Sequence, residues 1–173
     1  ILFAAASNLV TALFFFVYLM FTGELGRVFA RKTLWVLAMV TMLNIVIPFT
    51  LIYSGAKLTS GINTSLLLIT EIVFTYLVSP IFFGEKITVK QTIGAVVIFA
   101  GAFSVLYKGS FTFNPGDLLI IAGVAFYPFG NWFAKKALAL TSASVMLLFR
   151  SVLGSLLLFA ISLGLENYNG PIY

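Results

Sequence analysis

"INTSLLLITEIVFTYLVSPIFF", Ile62 to Phe83, decides the fold. Wound as a helix rising 1.5 Å per residue, a run of this length with a single charge covers a hydrocarbon core about 30 Å thick. The rest of the 173-residue chain is of the same kind: 61% is apolar and only 9% charged, well outside the mix of soluble globular domains. Working outward, breaks at charges, glycines and prolines delimit further apolar runs at 1–21, 34–53, 91–107, 117–134 and 143–164. A lipid-exposed backbone must satisfy its own hydrogen bonds, and none of these runs alternates in the ten-residue pattern of a membrane barrel, so each predicts a helix. The chain therefore predicts an all-α, polytopic membrane bundle with six transmembrane helices.

The connectors set topology. The first, third and fifth carry Arg27, Arg31, Lys32, Lys86, Lys90, Lys135 and Lys136, while the second and fourth carry only Lys57 and Lys108, and the tail from Glu166 to Tyr173 carries no basic residue. Basic residues concentrate on the cytoplasmic face, so the first span runs outside to inside and the sixth inside to outside. This also explains the net charge of +5 without nucleic acid, because the cations are scattered singly or in pairs between apolar runs. Trp35, Tyr53 and Tyr107 lie near span ends, where amphipathic rings favour the headgroup layer. "NPGD" at 114–117 reads as a turn, with Asp117 expected to cap the fifth helix. Gly94 and Gly101, flanked by Ala95, Ala100 and Ala102, predict a small-residue seam for close helix packing.

Chemistry is sparse. With neither cysteine nor histidine, the chain lacks disulfides, thiolate nucleophiles and imidazole, and no paired acids occur in the spans; no enzyme activity, cofactor or metal site is expected. The chain opens on Ile1, already apolar, and is expected to be a fragment. "LLFRSVLGSLLLFAI" from Leu147 aligns with "ILFAAASNLVTALFF" from Ile1 in its apolar start and span length, and the charge pattern orients the two spans oppositely. Opposed copies are the mark of an inverted repeat in secondary transporters. The offset predicts an intact protein of ten helices in two five-helix halves, of which residues 1–108 would be the remainder of the first repeat and 109–173 the start of the second.

Two segments carry a family likeness. Lys57 to Tyr107, "KLTSGINTSLLLITEIVFTYLVSPIFFGEKITVKQTIGAVVIFAGAFSVLY", has a small-residue turn, an apolar helix with a mid-helix acid, a "GE" plus "T" connector and a glycine-punctuated apolar helix. Gly116 to Leu138, "GDLLIIAGVAFYPFGNWFAKKAL", looks like the opening of a second copy. In these features the chain resembles the EamA-like branch of the drug/metabolite transporter superfamily. The resemblance implies carriage of small metabolites or drugs across a plasma or inner membrane. It departs at Ile72, where the family often has proline after the acid, so no proline break is carried over to that point.

Glu71 sits about nine residues from one end of its span and about twelve from the other, close to the midplane. Helical spacing places Thr64, Glu71, Thr75 and Ser79 on or near one face. An ionisable group there costs about 2.5–3.5 kcal/mol on insertion scales, which turns the stripe toward the bundle interior or a water-filled path. Glu71 is read either as a proton-coupling or substrate-orienting carboxylate, or as a structural acid bonded to a neighbouring helix. Arg150, about eight residues into the sixth span, either snorkels to the interface or pairs with Glu71 or an anionic substrate; the two depths differ by roughly 7 Å. Asn44, Tyr127, Asn131 and Trp132 are candidate wall residues of a substrate path, with interhelical packing as the alternative for each. Pro48, Pro80 and Pro128 are expected to kink their helices, and Glu85 and Lys86 to be solvated in a connector. The favoured function is a secondary transporter working by alternating access, with proton-coupled efflux one form of it; a non-transporting scaffold or a passive channel is the alternative.

Overall fold

The computed structural model describes residues 1–23, 31–106 and 114–165. Arg27, Tyr107, Lys108 and the tail 166–173 lie outside the described residues. Among those described there are helices and no strands: α1 (Leu2–Thr22), α2 (Arg31–Thr41), a π-helical turn (Met42–Val46), α3 (Ile47–Ala56), α4 (Gly61–Phe83), α5 (Val89–Leu106), α6 (Pro115–Val124), α7 (Tyr127–Leu138) and α8 (Ala143–Leu165). Five segments are long and apolar enough to cross a membrane: α1, Thr33–Ala56, α4, Pro115–Leu138 and α8. The helix expected at 91–107 is α5, and its described apolar part, Val89–Gly101, is shorter than a crossing. At its start Thr88 and Gln91 cap each other: the Gln91 N–H donates to Thr88 Oγ1 at 3.3 Å and the Thr88 N–H to Gln91 Oε1 at 2.8 Å. That reciprocal cap sets the helix going before Lys90, so its first turn is polar.

Two of the spans are broken rather than straight. Pro48 has no N–H to offer the preceding turn, and the Ile47 N–H reaches back five residues to the Met42 carbonyl, inserting the π-helical turn between α2 and α3. Pro128, in the first turn of α7, interrupts the fifth span without a π-helical turn: the helix pauses at Ala125 and Phe126 before α7 begins. By contrast, α4 runs unbroken through Glu71, Ile72 and Pro80 to Phe83 and stops at Gly84, whose φ of 65° is left-handed.

The broken spans pack on each other along a seam of small residues. Gly116, Gly123, Gly130 and Ala137 recur every seven residues, about two helical turns, and all are buried. A methyl on Gly55 would stand 2.5 Å from the Gly116 carbonyl, one on Gly123 would strike Ile52, and one on Gly130 would collide with Asn44. Ala137 continues the seam into a core with Leu37, Val40 and Met146. Gly94 and Gly101, expected to form such a seam, meet nothing within 4 Å among the described residues. Helix α1 lies against α8, and α5 leans mainly on α4.

The ends of the bundle match the charge alternation. Lys135 at the end of α7 grips Glu85 in the α4–α5 connector with both carboxylate oxygens at 2.7 Å, so the third and fifth connectors share one end. At the other end, Thr59 Oγ1 donates to Asp117 at 2.6 Å and accepts from Asn114 Nδ2 at 3.0 Å. The cap of α6 is Asn114, not Asp117 as expected. Asn114 holds an extended backbone and accepts from the Gly116 and Asp117 N–H groups, while Asp117, fully buried, reaches back to the Asn114 N–H at 2.8 Å. Pro115 at the first helical position leaves its preceding residue extended, which is the conformation an N-cap needs.

Candidate functional site

Helix α4 presents Glu71, Thr75 and Ser79 at four-residue steps, and all three line one open cavity of about 360 Å³. Asn131 closes it from α7, Gln91 and Ala95 from α5, and Glu85, Lys86 and Ile87 from the connector. The stepping follows from helix geometry: side chains four apart stack on one face, and that face is the polar one. Thr64, expected on the same stripe, lies two turns toward the far end and donates to the Ser60 carbonyl. Three other cavities, of about 360, 310 and 140 Å³, are walled almost wholly by aliphatic and aromatic side chains.

Among the described residues the Glu71 carboxylate takes part in no hydrogen bond and no salt bridge, although it is half-buried midway along its helix. Arg150 does not line the cavity. Its Nε is buried without a hydrogen-bond partner, and it forms no ion pair with Glu71. Tyr127 is within electrostatic reach of Glu71, Tyr53 and Arg150, its ring packed against the cluster of Ile52, Leu67, Ile120 and Val124. Asn131 links the cavity to the interior, since its Oδ1 accepts from Asn44 Nδ2 at 3.4 Å. Asn44 itself is 8% exposed and its Oδ1 has no partner. It sits in the π-helical turn and lies against Gly130, so the irregular turn of the second span crosses the fifth span directly beside the cavity.

Trp132 is placed outside the cavity wall. Its indole stacks on Phe83 with ring centroids 4.9 Å apart, and the Lys136 ammonium sits 3.4 Å over the ring, an aromatic and cation–π anchor at the basic end of the bundle. Pro48 and Pro128 flank the crossing of the broken spans, while Pro80 lies in the last turn of a continuous helix. Glu85 and Lys86 are in the connector as expected, Lys86 exposed, and Glu85 in addition lines the cavity and is held by Lys135. Tyr76 and Gln91 were not foreseen as wall residues. Tyr76 shares a hydrogen bond with Thr92 at 3.1 Å, and the spacing of Thr88 and Gln91 as a capping pair was the signal that would have placed Gln91 at the head of α5 beside the connector.

The EamA-like transporter family profile matches residues 1–107. The chain belongs to the EamA-like transporter family. It is also 28% identical over 119 residues to an uncharacterized transporter of Methanothermobacter thermautotrophicus, an alignment covering 65% of this chain and 35% of that protein. The chain thus spans about a third of the length of the curated relative it matches. No solved structure matches it. As an EamA-like protein with five apolar spans among its described residues, it is a multi-pass membrane protein of a transporter family.

Proposed function

We propose that the EamA-like chain is part of a secondary transporter of small metabolites or drugs, and that the cavity at Glu71 is its substrate and coupling path. The observation that carries this reading is the carboxylate itself. A group whose insertion costs about 2.5–3.5 kcal/mol has no partner among the described residues and faces an open cavity with Thr75, Ser79 and Asn131 around it. An acid that takes up and releases a proton or a substrate group stays free for it, which suits proton-coupled efflux.

The shape fits alternating access. The cavity reaches from Glu71 to the connector at Glu85–Ile87, whereas at the opposite end the Gly55–Gly116 contact and the Thr59–Asp117–Asn114 network hold α3 and the α3–α4 turn against α6. The whole transporter would have ten helices in two inverted halves, with residues 1–108 in the first and 109–173 opening the second, and would rock between the two openings. The family and the partial span of the relative support this reading. Flux of labelled metabolites in proteoliposomes of the full-length protein tests it. Saturable, exchangeable flux is expected; conductance without saturation would make it a channel, and no flux at all a scaffold.

A further inference from the structure

We infer that the cavity selects organic cations: its substrates carry an ammonium or amidinium group that docks on the Glu71 carboxylate. The inference rests on the cavity being the substrate path and follows from a census of charge along its wall. Among the described residues three charged side chains line it, Glu71, Glu85 and Lys86. Glu85 is neutralised by the bidentate contact with Lys135. Lys86 is exposed on the connector, beyond the end of α4 at Phe83, which lies about 18 Å from Glu71 along the helix, more than a Debye length of about 8 Å at physiological salt. Lys136, the other cation at this end of α7, is seated over the Trp132 ring.

Among the described residues the inner half of the cavity thus holds one uncompensated charge, and it is negative. Arg150 stands outside the wall and forms no ion pair with Glu71 among the described residues. The remaining inner wall is neutral: Thr75, Ser79 and Asn131 supply hydroxyl and amide groups able to bond polar atoms of either sense, and Ile72 and Ala95 supply apolar surface. An anionic solute meets repulsion there with no fixed cation to offset it, and a neutral one leaves the carboxylate unpaired when water is displaced.

The chain has no cysteine, so single reporters can be placed in it. Thr75→Cys lies one turn from Glu71, about 6 Å along the axis, and Ser79→Cys two turns, about 12 Å. In the full-length protein, with any cysteine outside this chain replaced, each reporter is reacted at about pH 8.5, far above the ordinary carboxylate range. The reagents are trimethylammonium-ethyl and sulfonatoethyl methanethiosulfonate, with rates normalised to those of free thiol. Even at the dielectric of water, a charge about 6 Å from a carboxylate favours cation over anion by about tenfold. The expected result is a cation-to-anion rate ratio of about ten or more at Thr75→Cys, smaller at Ser79→Cys, and near one at both when Glu71→Gln is added. A ratio near one with Glu71 intact, or one that survives Glu71→Gln, overturns the inference. The readout does not require transport, so its failure is separable from failure of the transporter reading.

Discussion

At the scale of single residues, the closest contacts are made by glycine. Gly130 leaves no room for a methyl against Asn44, so Gly130→Ala is expected to destabilise the chain by about 1–3 kcal/mol, as overpacking of a filled interface does. Gly94 faces open space, and Gly94→Ala is expected to be neutral or to gain up to about 1 kcal/mol from helix propensity alone. Thermal unfolding in detergent, comparing the two variants, checks the pair; equal effects would contradict the seam. Asn114→Ala removes the cap of α6 and a donor to Thr59, and is expected to lower stability by about 0.5–2 kcal/mol in the same measurement. The sequence reading named the Gly94–Gly101 seam, which meets nothing among the described residues, and missed the one at Gly116, Gly123 and Gly130. Small residues two turns apart in an apolar helix look alike whether or not another helix lies across them, and the partner positions Gly55, Ile52 and Asn44 are distant in sequence. Asp117 misled for a related reason: both Asn114 and Asp117 suit a cap, and the choice follows from Pro115 between them, which fixes the residue before it as extended.

At the scale of elements, what was legible was helix existence, because apolar length and the demands of lipid leave little else. The prolines gave the positions of the two breaks, but not their form. Pro48 produces a π-helical turn that brings Asn44 against Gly130, while Pro80, near a helix end, leaves α4 continuous. Replacing Pro48 by alanine restores a backbone donor and removes the reason for the extra residue in the turn. Pro48→Ala is therefore expected to leave helix content by circular dichroism unchanged while turning Asn44 away from Asn131, seen as reduced transport in the full-length protein. Unchanged transport would show that the irregular turn has no part in the path. The Lys135–Glu85 pair belongs to the same scale. It is largely solvent-exposed, and exposed ion pairs contribute about 0–1 kcal/mol, so its breakage by Glu85→Gln is expected to shift the unfolding midpoint little.

At the scale of the molecule, the charge alternation in the connectors and the contacts at the two ends agree. Lys135 and Glu85 join the third and fifth connectors, and Thr59, Asn114 and Asp117 join the second to the head of α6. The stripe on α4 was legible because four-residue spacing fixes a helical face; the opposite wall was not, since Asn131 and Gln91 reach the cavity only through the way α7 and α5 pack on α4. Tyr127 and Trp132 were legible as large rings near a proline, yet packing sends one toward Glu71 and the other into a stack with Phe83. The central claim is that a free carboxylate at mid-helix is the working group of an EamA-like transporter. It is tested most directly by reconstituting the full-length protein and its Glu71→Gln variant in proteoliposomes and measuring substrate flux driven by a pH gradient. The account predicts saturable flux in the parent and its loss in the variant with folding preserved; equal proton-driven flux in both would contradict it.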